Sequence, residues 1–529
     1  MHAWRNGSPA PERIAAARHA HGPTRTLNMS VDSTARTRVP WQAQAVLATA
    51  AIGLVIYSQT LAFYGDEGFH LLAASLVGAG RLPYRDFFYQ HPPLFPYVYA
   101  AWMRLAGETW RSAHLLSAFL TTATIWLVME YVVARQSRAR AAAGILAVLL
   151  FCLNPQIVKL GTVGHPYALC LFLSVLAFRL AVHGIATDAR RLTALSGVAA
   201  GAAASSWLLA APILPVIALW ILLPKVSRNR WVQLTCFVAG AAPWLIALAW
   251  FFILAPRSVV FDLFEYHLFY RGPDYRVPPS GALLEGLRTF AHWAFSWERL
   301  PATLFALVGT WHLVRPRAAE HAGRAEFGLA AAIAAALGLM ASVPYPTFDY
   351  YYVVLTPFVC ILACHGAGSL ACAGWRQPAR LYLLTVTLLG VSVLRPAYHA
   401  VHGVLNPVSP WNATDLIAQV INRVVPSEAA VYVPEEVYFV AKRRPPPGLE
   451  NSFAPELVLP ASLAASLRIV PQSQIDEWIK AGRFAAVWME AGDRRIESLE
   501  LAGVYDGRMP IRSDSESRSL GYVYWKSAH

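Results

Sequence analysis

Residues 43–67 read AQAVLATAAIGLVIYSQTLAFYGDE, an uncharged run that ends in two adjacent carboxylates. An apolar helix of about 20 residues, at about 1.5 Å per residue, crosses a hydrocarbon layer of about 30 Å. Residues 43–63 have this length and composition. The sequence therefore predicts a membrane span that is followed at once by an acidic segment, Asp66 and Glu67.

The whole chain has the composition of a membrane protein. Of its 529 residues, 56% are hydrophobic and 14% are charged, whereas a soluble domain has about 25% charged residues. This excludes an ordinary soluble enzyme. The net charge of +13 would suggest a nucleic-acid partner in a soluble protein, but in a membrane protein it sets orientation, and no nucleic acid is expected.

Apolar runs recur along the chain and predict an α-helical polytopic membrane protein of about eleven spans. The predicted spans are 43–63, 111–134, 141–157, 166–183, 192–206, 208–223, 231–254, 301–314, 325–343, 350–366 and 381–395. Residues 192–223 are too long for one span and too short for two full ones, so a hairpin of short helices is expected there.

Basic residues indicate the orientation. Residues 1–42 form an arginine-rich segment, interpreted as a disordered cytosolic tail. Five short basic connections would share its side of the membrane: 135–140, 184–191, 224–230, 315–324 and 374–380. The positive-inside rule then places the N-terminus in the cytosol and the long acidic loop 64–110 outside. We expect a multi-pass protein of a bacterial cytoplasmic (inner) membrane.

The C-terminal part differs from the membrane part. The predicted division is a tail, 1–42, a membrane domain, 43–395, and an extracytoplasmic domain, 396–529. The last part combines helix-like stretches (414–425 and 472–481) with strand-like runs (430–433, 485–489 and 521–525). It predicts a small α/β domain.

The first outer loop carries the candidate chemistry. Asp66 and Glu67 precede a predicted amphipathic helix, 67–79, that would lie along the membrane surface. Partial burial and a like-charge neighbour raise the pKa of a carboxyl group and make it a better base. In the alternative interpretation Asp66 only caps the helix and Glu67 stabilises its N-terminal dipole.

The loop then runs through Gly80-Arg81-Leu82-Pro83-Tyr84-Arg85-Asp86 to His91-Pro92-Pro93-Leu94. With the acidic pair, this string resembles the first outer loop of GT-C glycosyltransferases, in the group of protein O-mannosyltransferases and aminoarabinose transferases. The resemblance in motif covers residues 60–115. It implies an enzyme that moves a hexose or pentose from a polyprenyl-phosphate donor to an envelope lipid, glycan or protein.

By this resemblance, Asp66 is the general base, and Glu67 assists it or helps to bind a divalent cation such as Mg or Mn. No metal-ligating set is assigned from the sequence itself. Candidates for binding the donor phosphate or sugar are Arg85, His91, Arg111, Lys159, Arg271 and Tyr350. The arginines and Lys159 could instead be interfacial anchors, and Tyr350 could belong to an aromatic belt. His91 could instead have a helix-capping or packing role before Pro92.

Two positions depart from the family pattern. His91 stands where aminoarabinose transferases have lysine before Pro-Pro, and His165 stands before Pro166 where relatives often have aspartate. Two other function classes remain open. A transporter or lipid-carrier flippase would need ionisable groups at mid-membrane, whereas the acids here gather on one outer face. An inactive scaffold with a partner-binding outer domain is the third.

Overall fold

The computed structural model describes residues 38–60, 65–136, 139–271, 279–314, 321–372, 410–512 and 519–527. Most of these residues are helical. Six helices in this part of the chain are long and apolar enough to cross a membrane. The predicted class, a helical polytopic membrane protein with a small C-terminal α/β domain, is confirmed.

The helices of the membrane part follow the predicted spans closely. They are α1 (Trp41–Thr60), α4 (Trp110–Arg135), α5 (Arg140–Cys152), α7 (Pro166–Ala186), α8 (Arg190–Ser206), α9 (Ile213–Leu222), α10 (Arg230–Leu254), α13 (Leu300–Val314), α14 (His321–Ala341) and α15 (Thr356–Cys372). The eleventh predicted span, 381–395, lies outside the described residues, as does the predicted tail through residue 37.

Two predicted runs are interrupted. The span predicted at 141–157 ends at Cys152, and a separate helix, α6 (Pro155–Leu160), begins after Asn154. The Asn154 side chain accepts from the backbone N–H groups of Gln156 and Ile157, so it caps this new helix. The expected hairpin of short helices is confirmed by the break between α8 and α9 at residues 207–212.

Close helix packing explains one glycine in α8. A Cβ atom at Gly197 would collide with the carbonyl oxygen of Phe237 in α10, and one at Gly240 would collide with that of Ala194. Glycine thus lets the α8 and α10 backbones touch, as membrane helices with small interfacial residues do.

Further helices lie in the segments that connect the membrane helices: α2 (Glu67–Gly78), α3 (Leu94–Ala106), α11 (Pro256–Val260), a π-helix over Phe261–Tyr270, α12 (Pro279–Ala294) and a 3-10 helix over Asp349–Leu355. The helix predicted at 67–79 exists, but its predicted place on the membrane surface is wrong. Phe69, Leu72 and Leu76 pack against residues of the C-terminal domain such as Val437 and Tyr438, so its apolar side is buried in protein.

The C-terminal domain has the predicted mixture of helices and strands. Its elements are α16 (Pro410–Val424), β1 (Val431–Tyr432), α17 (Glu435–Ala441), α18 (Ala461–Ser466), α19 (Gln472–Lys480), β2 (Ala486–Glu490), α20 (Arg495–Ser498), α21 (Leu501–Val504), β3 (Gly507–Arg512) and β4 (Ser519–Trp525). The sheet has the order β1-β2-β4-β3. β1 is parallel to β2, and the other pairs are antiparallel.

Candidate active site

A cavity of about 670 Å³ lies where the first outer loop, the π-helix and the C-terminal domain meet. Its lining combines polar and apolar groups from separate parts of the chain. The polar and aromatic lining residues include Asp66, Gln90, His91, Trp207, Tyr266, His267, Arg271, Tyr350, Tyr351, Phe453 and Glu456. Four predicted site residues therefore meet here: Asp66, His91, Arg271 and Tyr350.

Asp66 reaches the cavity from the N-cap position of α2. Its side chain makes no capping hydrogen bond, so the geometry does not support the capping interpretation. Burial raises the pKa of Asp66, and the nearby Arg271 guanidinium partly opposes that rise. A half-buried carboxylate with a raised pKa is suited to accept a proton.

Glu67 does not line the cavity; it lies buried behind it. One carboxylate oxygen, Oε1, is 2.5 Å from His114 Nε2 and accepts from the Gly164 N–H at 2.6 Å. The other ring nitrogen of His114, Nδ1, lies 2.7 Å from the carbonyl oxygen of Ser58. The His114 ring thus lies between two oxygen atoms and links the Glu67 carboxylate to the backbone of Ser58. These hydrogen bonds join α1, α2, α4 and the loop before α7.

His91 lies between two aromatic rings at the cavity wall. Its ring stacks on Trp207, with centroids 4.7 Å apart, and on Phe69 at 5.9 Å. Burial, reinforced by neighbouring charged or ionisable groups, lowers the pKa of His91 well below its usual value. His91 is therefore neutral near pH 7 and cannot supply the positive charge of the family's lysine.

His165, the second departure from the family pattern, packs beside the same ring. Its centroid lies 5.3 Å from that of Trp207 and 4.6 Å from that of His70. Burial lowers the pKa of His165 to about 3. An uncharged, packed ring at this position cannot take over the role of an aspartate.

Arg271 is the cation that does line the cavity. Its guanidinium donates to the Tyr351 hydroxyl and lies over the Phe348 ring, 5.0 Å from the centroid. Tyr350 stands beside Tyr351 in the 3-10 helix, and both line the cavity. A planar guanidinium held among aromatic rings is well placed to bind a phosphate.

The other predicted cations are not brought to the cavity. Arg85 pairs with Asp86 at 2.8 Å, and Arg111 donates to the carbonyl oxygen of Gln59 at 2.9 Å. Lys159 is exposed on α6 and is not part of the cavity lining. The positions of Arg85 and Arg111 favour their alternative interpretation as interfacial anchors over a role in binding the donor phosphate.

The acidic and histidine residues of the π-helix have separate partners. Asp262 is buried and accepts the Tyr89 N–H at 3.0 Å, and Glu265 pairs with Arg257 at 2.7 Å. His267 contacts the carbonyl oxygen of Gln90 at 2.7 Å. In the described part of the chain, no group of three or more His, Cys, Asp or Glu residues is placed to hold a metal ion.

Several lining residues carried no sequence signal. Trp207 follows the last residue of α8, in an apolar run that gives no reason to single it out. Phe453 and Glu456 belong to the C-terminal domain, almost 400 residues after Asp66 in the chain. Only the folded chain brings them to the first outer loop.

The comparisons with known proteins agree with this architecture. The model of the dolichyl-phosphate-mannose-protein mannosyltransferase family matches residues 90–256. That range contains His91 but neither Asp66 nor the π-helix. No curated protein sequence matches the chain.

Two solved structures share the fold. ArnT from Cupriavidus metallidurans, bound to undecaprenyl phosphate, matches with a TM-score of 0.60 and 16% identity over 91% of this chain and 97% of that one. The arabinofuranosyltransferase AftD from Mycobacteria matches with a TM-score of 0.52 and 16% identity, over 92% of this chain and 42% of that one. These likenesses show the fold of the chain.

Proposed function

We propose that this protein is a GT-C glycosyltransferase that moves a sugar from a polyprenyl-phosphate donor to an extracytoplasmic acceptor. The observation that carries the proposal is the meeting of Asp66 and Arg271 in one cavity. The reaction needs a base for the attacking group and a cation for the leaving phosphate. Asp66 and Arg271 supply these two kinds of group in the cavity.

The rest of the cavity fits the lipid part of such a donor. Its wall away from the charged groups is apolar, with Leu208, Leu209, Leu268, Met340 and Val343 among the lining residues. A polyprenyl chain is purely hydrocarbon, so its contact with such an apolar surface lowers the free energy of the complex. A phosphate beside Arg271 would then leave the sugar near Asp66.

The proposed step is a single displacement. A hydroxyl or amine of the acceptor attacks the anomeric carbon, and Asp66 takes the proton that this group loses. The bond between the anomeric carbon and the phosphate oxygen breaks, and its electron pair leaves with polyprenyl phosphate. Arg271, with Tyr350 beside it, stabilises the charge on the departing phosphate. The configuration at the anomeric carbon is inverted.

A Mg or Mn ion in this cavity would have two carboxylates, those of Asp66 and Glu456, and the donor phosphate as possible ligands. In the described residues, no group of three or more His, Cys, Asp or Glu is placed to hold a metal ion. The proposed step uses protein side chains alone. We propose that the acceptor is a lipid, a glycan or a protein. We also propose that the protein lies in a bacterial inner membrane, with its C-terminal domain on the extracytoplasmic side. The short basic connections between spans support that orientation.

The test is donor turnover by the reconstituted full-length protein. Lipid-linked sugars extracted from a deletion strain serve as donors, and free polyprenyl phosphate is measured by mass. Arg271→Gln removes a charge-assisted phosphate contact worth about 1.5–3 kcal/mol, so kcat/KM for the donor should fall about 10- to 100-fold. Arg257→Gln is the matched control, because Arg257 pairs with Glu265 and does not line the cavity. Equal turnover by the two variants would refute the assignment of Arg271.

A further inference from the structure

A second cavity, of about 590 Å³, lies between α2, α3 and residues 442–444, which follow α17. It shares no lining residue with the cavity described above. Neither the proposed mechanism nor the sequence prediction uses it.

The floor of this second cavity is small and apolar. Ala74, Gly78 and Ala79 come from the second half of α2 and its end, and Ala100 and Ala101 come from α3. Short side chains leave room for a ligand where larger ones would fill the space. Such a floor can cover the apolar part of an amphipathic molecule.

The rim of the second cavity is basic. Four cationic side chains line it, Arg104, Lys442, Arg443 and Arg444, against one carboxylate, that of Glu108. The imbalance favours an anionic ligand, and guanidinium groups match phosphate oxygens in geometry as well as charge.

Two of these cations already have structural roles. Arg443 donates to the carbonyl oxygens of Val425 and Pro426, at 2.6 and 2.8 Å, and so closes the end of α16. Lys442 donates to the carbonyl oxygen of Glu108. By contrast, Arg104 and Arg444 are exposed and form no ion pair with any residue that the structure describes.

The basic rim lies near the membrane surface. Arg104 is in the last turn of α3, and the membrane helix α4 begins at Trp110, only six residues later. The free face of α3 also carries Tyr97, 38% exposed, and Leu105, 85% exposed. An exposed leucine beside tyrosine and arginine is typical of a helix at the lipid–water boundary.

We propose that the second cavity binds a lipid with a phosphomonoester headgroup, from the leaflet on the side of the C-terminal domain. The phosphate contacts Arg104 and Arg444, and the adjoining apolar part of the lipid covers the floor between α2 and α3. A soluble anion would use the rim alone, whereas an amphipathic lipid uses both surfaces. The site is separate from the proposed donor site and does not depend on the proposed function.

The test is a binding measurement on the full-length protein in non-ionic detergent, by isothermal titration calorimetry. The probe is short-chain dihexanoyl phosphatidic acid. All proteins carry Arg271→Gln, which removes the cation of the first cavity. In this background, the added pair Arg104→Gln and Arg444→Gln should weaken binding at least tenfold. Arg494→Gln, an exposed arginine elsewhere on the C-terminal domain, should change the affinity less than twofold.

Four results would overturn the proposal. The first is equal affinity in the double variant and the Arg494 control. The second is equally tight binding of dihexanoyl phosphatidylcholine, and the third is equally tight binding of inorganic phosphate, which would mean a bare anion site. The fourth result concerns the Arg271→Gln protein alone, so it decides even if the double variant is not monodisperse. Its affinity for the probe should decrease when NaCl is raised from about 50 to about 500 mM, and salt-independent binding would overturn the proposal.

Discussion

Replacing Glu67 by alanine tests whether this residue supports the site or takes part in the chemistry. The Glu67 side chain is fully buried, and its Oε1 serves both His114 Nε2 and the Gly164 N–H. Alanine leaves two buried polar groups without a partner, at about 1–3 kcal/mol each. The expected loss of stability is therefore about 2–6 kcal/mol.

Glutamine at the same position separates the two roles. An amide oxygen at the Oε1 position can still accept from the Gly164 N–H, but it is a weaker hydrogen-bond partner for the His114 ring than a carboxylate, so the expected cost is about 1–3 kcal/mol. The assay is the apparent melting temperature in detergent, followed by donor turnover at a temperature where each variant is folded. A supporting role predicts near-normal turnover by folded Glu67→Gln. A folded variant with wild-type melting but no turnover would refute this reasoning.

Three further predictions concern the surroundings of Asp66. Because the base must be deprotonated, kcat/KM should fall as the pH drops through the raised pKa of Asp66. In a pH–rate profile, Arg271→Gln should move this loss of activity to higher pH. An unchanged profile would argue against an interaction between Asp66 and Arg271. Burial raises the pKa of Asp262 well above its usual value, so the uncharged side chain of Asp262→Asn should fit the same site. This variant should have the melting temperature of the wild type, and a large decrease would contradict the reasoning. Gly68→Ala places a Cβ atom 2.8 Å from Glu436 Oε2 and should destabilise the contact between α2 and α17 by about 1–3 kcal/mol, seen as faster limited proteolysis near α17; unchanged proteolysis would exclude the clash.

The membrane helices could be predicted because one physical requirement dominates them. A span needs a long apolar run, and such runs are visible in single segments such as 231–254, which became α10 almost residue for residue. The surface helix at 67–79 was placed wrongly because its amphipathic pattern fits either lipid or protein. Residues far away in the chain, such as Val437 and Tyr438, decide between them.

The site could be predicted only in part. Asp66 has a local signal, since it follows a span and begins a helix, and Arg271 has a weaker one, a cation after an aromatic loop. Arg85 and Arg111 have the same local signal as Arg271, but a neighbouring carboxylate holds the first and a backbone carbonyl holds the second. The competing partners of a cation are a property of the fold, so the sequence could not rank these arginines.

Donor turnover by Asp66→Asn tests the central claim most directly. Asparagine keeps the size of the side chain but cannot accept the proton, so release of polyprenyl phosphate should fall about 100-fold or more. The melting temperature and expression of Asp66→Asn should equal those of the wild type. Asp476→Asn is the control, because Asp476 lies outside the cavity, and it should turn over the donor at the normal rate. Loss of turnover in folded Asp66→Asn alone is the result that we predict. Turnover at the wild-type rate would contradict the assignment of Asp66 as the base.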